Sequence, residues 1–122
     1  FPDKEVTLAL ERSGLSVFIM LCTLDYKKND ISEEKERDMS HALKKAIQSS
    51  VRKGDFYTKY NMRQYIIMLI GISQENCPMV SRRIEKAFRK CSGEKRSLQV
   101  DFYVASVGEV CESDGVIVDR RT

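Results

Sequence analysis

Four cysteines, one histidine and several clusters of charge are the residues with which this chain could do chemistry. The cysteines stand at positions 22, 77, 91 and 111 without a C-x-x-C pair, and His41 completes no Cys/His set at a zinc-binding spacing. Cys22 falls in an apolar stretch and Cys91 on the apolar side of a predicted helix, where cysteine acts as a small hydrophobe. Reduced thiols are expected. His41, mid-helix beside Ala42, reads as a surface or packing histidine rather than a base. Glu33, Glu34, Glu36 and Asp38 interleave with Lys35 and Arg37, the pattern of a solvated helix face. Between positions 82 and 96, Arg82, Arg83, Lys86, Arg89, Lys90, Lys95 and Arg96 outnumber Glu85 and Glu94. That run reads either as another solvated face or as a surface for an anion or partner.

The elements that must position these side chains follow from composition and apolar periodicity. At 122 residues the chain has room for one hydrophobic core. Its 42% hydrophobic and 32% charged residues are ordinary globular usage, which excludes disordered and collagen-like classes. A net charge of +3 is too small an excess to mark a nucleic-acid binder. No apolar run reaches the roughly 18 residues a membrane span needs. The opening Phe-Pro-Asp-Lys-Glu has neither an initiating Met nor an apolar leader, and reads as the start of a domain within a longer protein. A soluble, cytoplasmic module is expected.

Residues 3–12 suit a short lead-in helix closed by Gly14. Residues 16–24 are almost continuously apolar and predict a strand buried on both faces. A long helix is predicted from Asp30 or Ser32, with Glu33 and Glu34 in its first turn. Met39, Leu43, Ala46, Ile47 and Val51 form its stripe, and Gly54 its stop. Strands over 56–60 and 65–71 flank Asn61-Met62-Arg63-Gln64 as an antiparallel hairpin, the second strand apolar enough to be central. The next helix begins near Asn76 with Pro78 in its first turn; Val80, Ile84, Ala87, Phe88 and Cys91 face inward and Gly93 ends it. Residues 98–107 alternate as a strand, and 116–118 suit a short closing strand. Two amphipathic helices need a sheet to cover, and the strands are too few for a barrel. The expected class is therefore α+β, a two-layer ferredoxin-like sandwich with a mostly antiparallel sheet and helices packed on it.

The segment from Val51 to Leu69, V-R-K-G-D-F-Y-T-K-Y-N-M-R-Q-Y-I-I-M-L, resembles the GGDEF family of diguanylate cyclases. That family carries R-x-x-D, five residues, a Gly-Gly-Asp/Glu-Glu-Phe hairpin and an apolar strand. Here Arg52-Lys53-Gly54-Asp55 stands at the first motif and Asn61-Met62-Arg63-Gln64-Tyr65 at the signature hairpin. The resemblance reaches back to the apolar strand, aspartate and Phe-Lys of the family at 17–27, and forward through the helix at 77–91 and the strand at 98–107. It implies a nucleotide-cyclase-like fold. More closely, the chain looks like the degenerate GGDEF-like domains of some bacterial transcriptional activators of the BTAD/SARP type, which carry DNA-binding and activator regions elsewhere.

Active cyclases join two GTP molecules with two divalent metals, held by one carboxylate at the end of the first strand and another at the third hairpin residue. Aligning Tyr26-Lys27 with the family's Phe-Lys puts Cys22 at the first of these positions and Arg63 at the second. Asn61 and Met62 replace the glycines that let the backbone approach the nucleotide. The F-G-H-x-x-G-D guanine segment is missing, with Asn29 and Asp38 as candidate remnants, and the family's C-terminal A-D-x-A-L-Y-x-A-K helix does not appear after Val107. The resemblance thus implies no catalytic residues, no metal and no cofactor. Arg52 and Asp55 match the inhibitory site at which cyclases bind cyclic di-GMP, arginine gripping phosphate and guanine while aspartate accepts from guanine N–H groups. The other reading of the same pair is structural, with Asp55 capping a turn and Arg52 closing a helix.

Three segments are expected: a lead-in helix or linker over 1–14, a degenerate GGDEF-like domain over 15–107, and a C-terminal turn and closing strand over 108–122. The expected function is a non-catalytic regulatory or protein-interaction module of a multidomain bacterial regulator. Its partners would be other domains of that regulator or a second protomer, reached through the basic helix at 82–90 or an exposed tip at Met62 and Arg63. The alternative is a receptor that senses cyclic di-GMP through Arg52 and Asp55, or GTP. Neither membrane contact nor direct DNA binding is expected.

Overall fold

The structure, a computed structural model, describes residues 16–93 and 98–107. The helix expected over 3–12 and the strand expected over 116–118 lie outside these residues. Four strands, β1 (Val17–Asp25), β2 (Phe56–Asn61), β3 (Gln64–Ile70) and β4 (Gln99–Ser106), form one antiparallel sheet in the order β2-β3-β1-β4. Among the described residues two α-helices, α1 (Glu33–Ser50) and α2 (Cys77–Ser92), lie between strands along the chain. The expected α+β class and central placement of the 65–71 strand hold.

Strand β1 is apolar at nearly every position because both of its faces are covered. Met20, Cys22 and Leu24 are buried among helix residues, while Val17 and Ile19 join Ile66, Met68, Ala105 and Val107 in a second cluster. The main core sets Tyr65, Ile67 and Leu69 of β3 against Met39, Leu43, Ala46 and Ile47 of α1 and Val80, Ile84 and Phe88 of α2. No residue of α1 or α2 enters the second cluster, so these two helices serve one face of the sheet.

The helix boundaries follow from local chemistry. Ser32 caps α1, its side-chain oxygen accepting from the Lys35 N–H at 3.1 Å, with Glu33, Glu34 and Glu36 in the first turn. The helix stops at Ser50, short of Gly54, because Val51 is already extended (ψ 155°) and packs against the core. Gly93 ends α2 in the left-handed region (φ 71°), as its position predicted. One placement changes. Cys91 is exposed, because the buried stripe of Cys77, Val80, Ile84 and Phe88 continues at the half-buried Ser92. Among the described residues no helix is long and apolar enough to cross a membrane.

Candidate functional site

Because β1 and β3 pair antiparallel, the end of β1 meets the tip of the β2–β3 hairpin. Cys22 lies opposite Tyr65 and Thr23 opposite Gln64. Two further bonds fasten the tip: the Leu24 N–H donates to the Arg63 carbonyl at 2.8 Å, and Gln64 Nε2 donates to Thr23 Oγ1 at 3.2 Å. The turn itself is Met62-Arg63. Asn61 holds it by donating to Gln64 Oε1 at 2.8 Å and accepting from the Arg63 N–H at 2.9 Å. The tip is not the exposed knob that polar turn residues suggested. Met62 and Arg63 are half-buried, and Tyr65 is 3% exposed, its hydroxyl 3.4 Å from the Ser40 carbonyl.

Arg63 turns back over the end of β1. Its guanidinium carbon lies 4.4 Å from the centre of the Tyr26 ring, within cation–π range. The Tyr26 hydroxyl donates to a Glu36 carboxylate oxygen. Burial, then the Glu36 carboxylate, push the Tyr26 phenol up to about 12, against the opposing pull of Arg63. Glu36 is therefore no member of a solvated face but a half-buried acceptor. Its position three residues before buried Met39, on the inward side of the helix, was the available signal. Asn29 and Asp38 are both exposed.

Cys22 has no exposed surface, and burial alone pushes its thiol up to about 12, leaving it neutral at pH 7. Hard Mg²⁺ takes carboxylate and water oxygens in near-octahedral geometry. A buried neutral thiol is a poor donor to it and a guanidinium repels it, so Cys22 and Arg63 do not fit such an ion. Among the described residues no group of three or more His, Cys, Asp or Glu side chains is placed to hold a metal.

Arg52 and Asp55 lie at the far end of β3, about 20 Å of strand from the hairpin tip. They meet one another. Asp55 accepts from the Arg52 N–H at 2.9 Å through one oxygen and from the Ile70 N–H at 3.1 Å through the other. Arg52 donates to the Ile70 carbonyl at 2.7 Å and sits 3.6 Å from Asp55. The Asp55 side chain is 3% exposed, the Arg52 side chain 52%. Both carboxylate oxygens thus fasten the turn between α1 and β2 onto β3, while about half of the Arg52 side chain faces solvent. On α2, Arg82, Arg83, Lys86 and Lys90 are exposed and Arg89 lies 3.4 Å from Glu85; Lys95 and Arg96 lie outside the described residues.

Diguanylate cyclases and GGDEF domains are among the solved structures with this arrangement of strands and helices. Diguanylate cyclase SiaD from Pseudomonas aeruginosa, crystallised with its activator SiaC, superposes with a TM-score of 0.72 at 14% identity over 84% of this chain and 42% of that one. The GGDEF domain of DgcB from Caulobacter crescentus, in complex with c-di-GMP, gives 0.66 at 12% identity over 88% of this chain and 72% of that one. A DGC protein from Thermotoga maritima gives 0.63 at 16% identity over 84% and 72%. At these identities the likeness is one of fold: the chain has the GGDEF-domain fold and spans less than half of SiaD. No family model matches the chain, and no curated protein matches it.

Proposed function

We propose that this domain is a non-catalytic regulatory module on a GGDEF fold, working inside a multidomain bacterial signalling or transcription regulator. The observation that carries this reading is the pairing at the end of β1. A neutral buried thiol at Cys22 and a cation at Arg63 stand where the resemblance puts two metal-binding carboxylates, and Arg63 is engaged with Tyr26. Without acidic oxygens there, nothing gathers divalent ions against the phosphates of GTP. The domain would act by contact, through the exposed cations of α2, on neighbouring domains or a second protomer. That one structural neighbour was crystallised with an activator protein is in keeping with this mode.

Incubation with GTP and Mg²⁺ or Mn²⁺ at high protein concentration is expected to yield no cyclic di-GMP; product above a heat-killed control overturns the proposal. Titration calorimetry with cyclic di-GMP is likewise expected to give no heat, since Asp55 is buried and both its oxygens are engaged. Micromolar binding abolished by Arg52→Ala would replace this reading with a cyclic di-GMP receptor.

A further inference from the structure

Among the described residues strand β2 forms one edge of the sheet, paired only with β3, and every residue from Phe56 to Asn61 except Tyr57 is exposed. Such an edge presents a row of unpaired backbone N–H and C=O groups. Two of the large apolar side chains that reach solvent stand on this one strand, Phe56 at 61% exposed and Tyr60 at 63%.

The register gives that edge two unlike faces. Phe56 lies opposite Met68 and Thr58 opposite Ile66, both members of the second cluster. Tyr57 and Lys59 are on the helix side: the Tyr57 hydroxyl accepts from Gln48 Nε2 of α1 at 2.6 Å, and Lys59 lies opposite buried Tyr65. Arg37 and Lys44 of α1, both exposed, border the same cavity as these two side chains. One face of the edge is therefore apolar and the other cationic. Lys59 Nζ lies 3.2 Å from Met62 Sδ, and among the described residues Arg37, Lys44 and Lys59 form no ion pair. The sole carboxylate between positions 51 and 64 is Asp55, already engaged through both oxygens.

Charge selects the occupant. A lysine on an edge strand guards it against its own kind, because a second copy docked there would set cation against cation with no carboxylate between them. An acidic strand turns the same groups into contacts. We infer that β2 accepts an added strand from a protein partner, an extended segment in which acidic and apolar residues alternate. Its carboxylates lie beside Tyr57 and Lys59, and its apolar side chains beside Phe56 and Thr58. Main-chain hydrogen bonds along the edge supply affinity and the alternation supplies register. The β2–β3 ladder is regular from Phe56 to Lys59, and the register shift before Asn61 ends it, so the docked segment is short and the association weak. The added strand runs along the rim of the sheet, outside the hairpin and not in the groove behind it. This contact goes beyond the regulatory reading above: it uses neither the α2 cations nor the Cys22–Arg63 corner, and it stands whether or not the domain turns over GTP.

The test is an amide NMR titration of the whole chain with the end-capped peptide Asp-Val-Glu-Phe-Glu-Val-Asp, whose acidic and apolar side chains fall on opposite faces of a strand. Saturable shifts centred on residues 55–61 are expected. The scrambled peptide Asp-Glu-Val-Phe-Val-Glu-Asp has the same composition and charge without the alternation, and is expected to bind at least about tenfold more weakly. Lys59→Glu, which sets like charges together, is expected to weaken binding of the alternating peptide by about tenfold. Phe56→Ser is expected to weaken it as well; both side chains are exposed, so amide shifts away from β2 should stay in place and report an intact fold. The proposal is overturned by the absence of saturable shifts at millimolar peptide. It is overturned equally by undiminished binding of the scrambled peptide or by shifts centred on residues 82–90, which mark general attraction to surface charge. Concentration-dependent shifts at 55–61 without peptide overturn it too, because they make a second copy the occupant.

Discussion

At Asp55 one carboxylate organises a turn from both sides. Its two oxygens take the Arg52 and Ile70 N–H groups, and the Asp55 N–H in turn donates to the Arg52 carbonyl at 3.0 Å. Removing the side chain strands two backbone donors, whereas removing Arg52 takes away a half-exposed ion pair and one bond to the Ile70 carbonyl. Asp55→Ala is therefore expected to lower stability by about 1–3 kcal/mol, and Arg52→Ala by no more than about 1 kcal/mol, in urea unfolding with unchanged slope. Equal losses at the two positions would contradict this division of roles. The same pair read from sequence alone looks like a ligand clamp as readily as a turn fastener, because spacing records which residues are near and not which of their atoms are already engaged.

Among the elements, α2 was the most legible. Its stripe of Val80, Ile84 and Phe88, the Pro78 start and the Gly93 stop all agree with one another, and the helix observed is the helix expected. Phe88 is fully buried in the main core, so Phe88→Ala is expected to cost about 3–5 kcal/mol, read as a fall in the denaturation midpoint. A loss below about 1 kcal/mol would mean that α2 is not seated on the sheet as described. The inward pattern failed only at Cys91, where a 3.6-residue period gives two candidates for the last buried position and contact with the core chooses between them. Helix α1 was legible on its apolar side and over most of its charged run, where Glu33, Glu34, Lys35, Arg37 and Asp38 are exposed as expected. The exception is Glu36, which turns inward to accept from the Tyr26 hydroxyl.

For the whole molecule, the buried Cys22 thiol and Tyr26 phenol tie stability to alkaline pH. Both groups have folded values raised to about 12 from ordinary values of 9.0 and 10.0, so the native state holds these protons where the unfolded chain gives them up. Stability from this source is intact below about pH 9 and is lost as the pH climbs toward 12. Urea unfolding at stepped pH is expected to show that decline, reduced in Cys22→Ala and in Tyr26→Phe; a profile equally steep in both variants would remove these groups as its cause. The order and kind of the described elements were determined by the sequence itself, because burial on one side of a helix or on both faces of a strand imprints its own period on neighbouring residues. What Arg63, Glu36 and Asp55 do was decided only by the tertiary structure. Each depends on a group that another element supplies, as Arg63 and Glu36 depend on Tyr26 and Asp55 on the Ile70 N–H, and local periodicity carries no record of which elements the sheet order brings together.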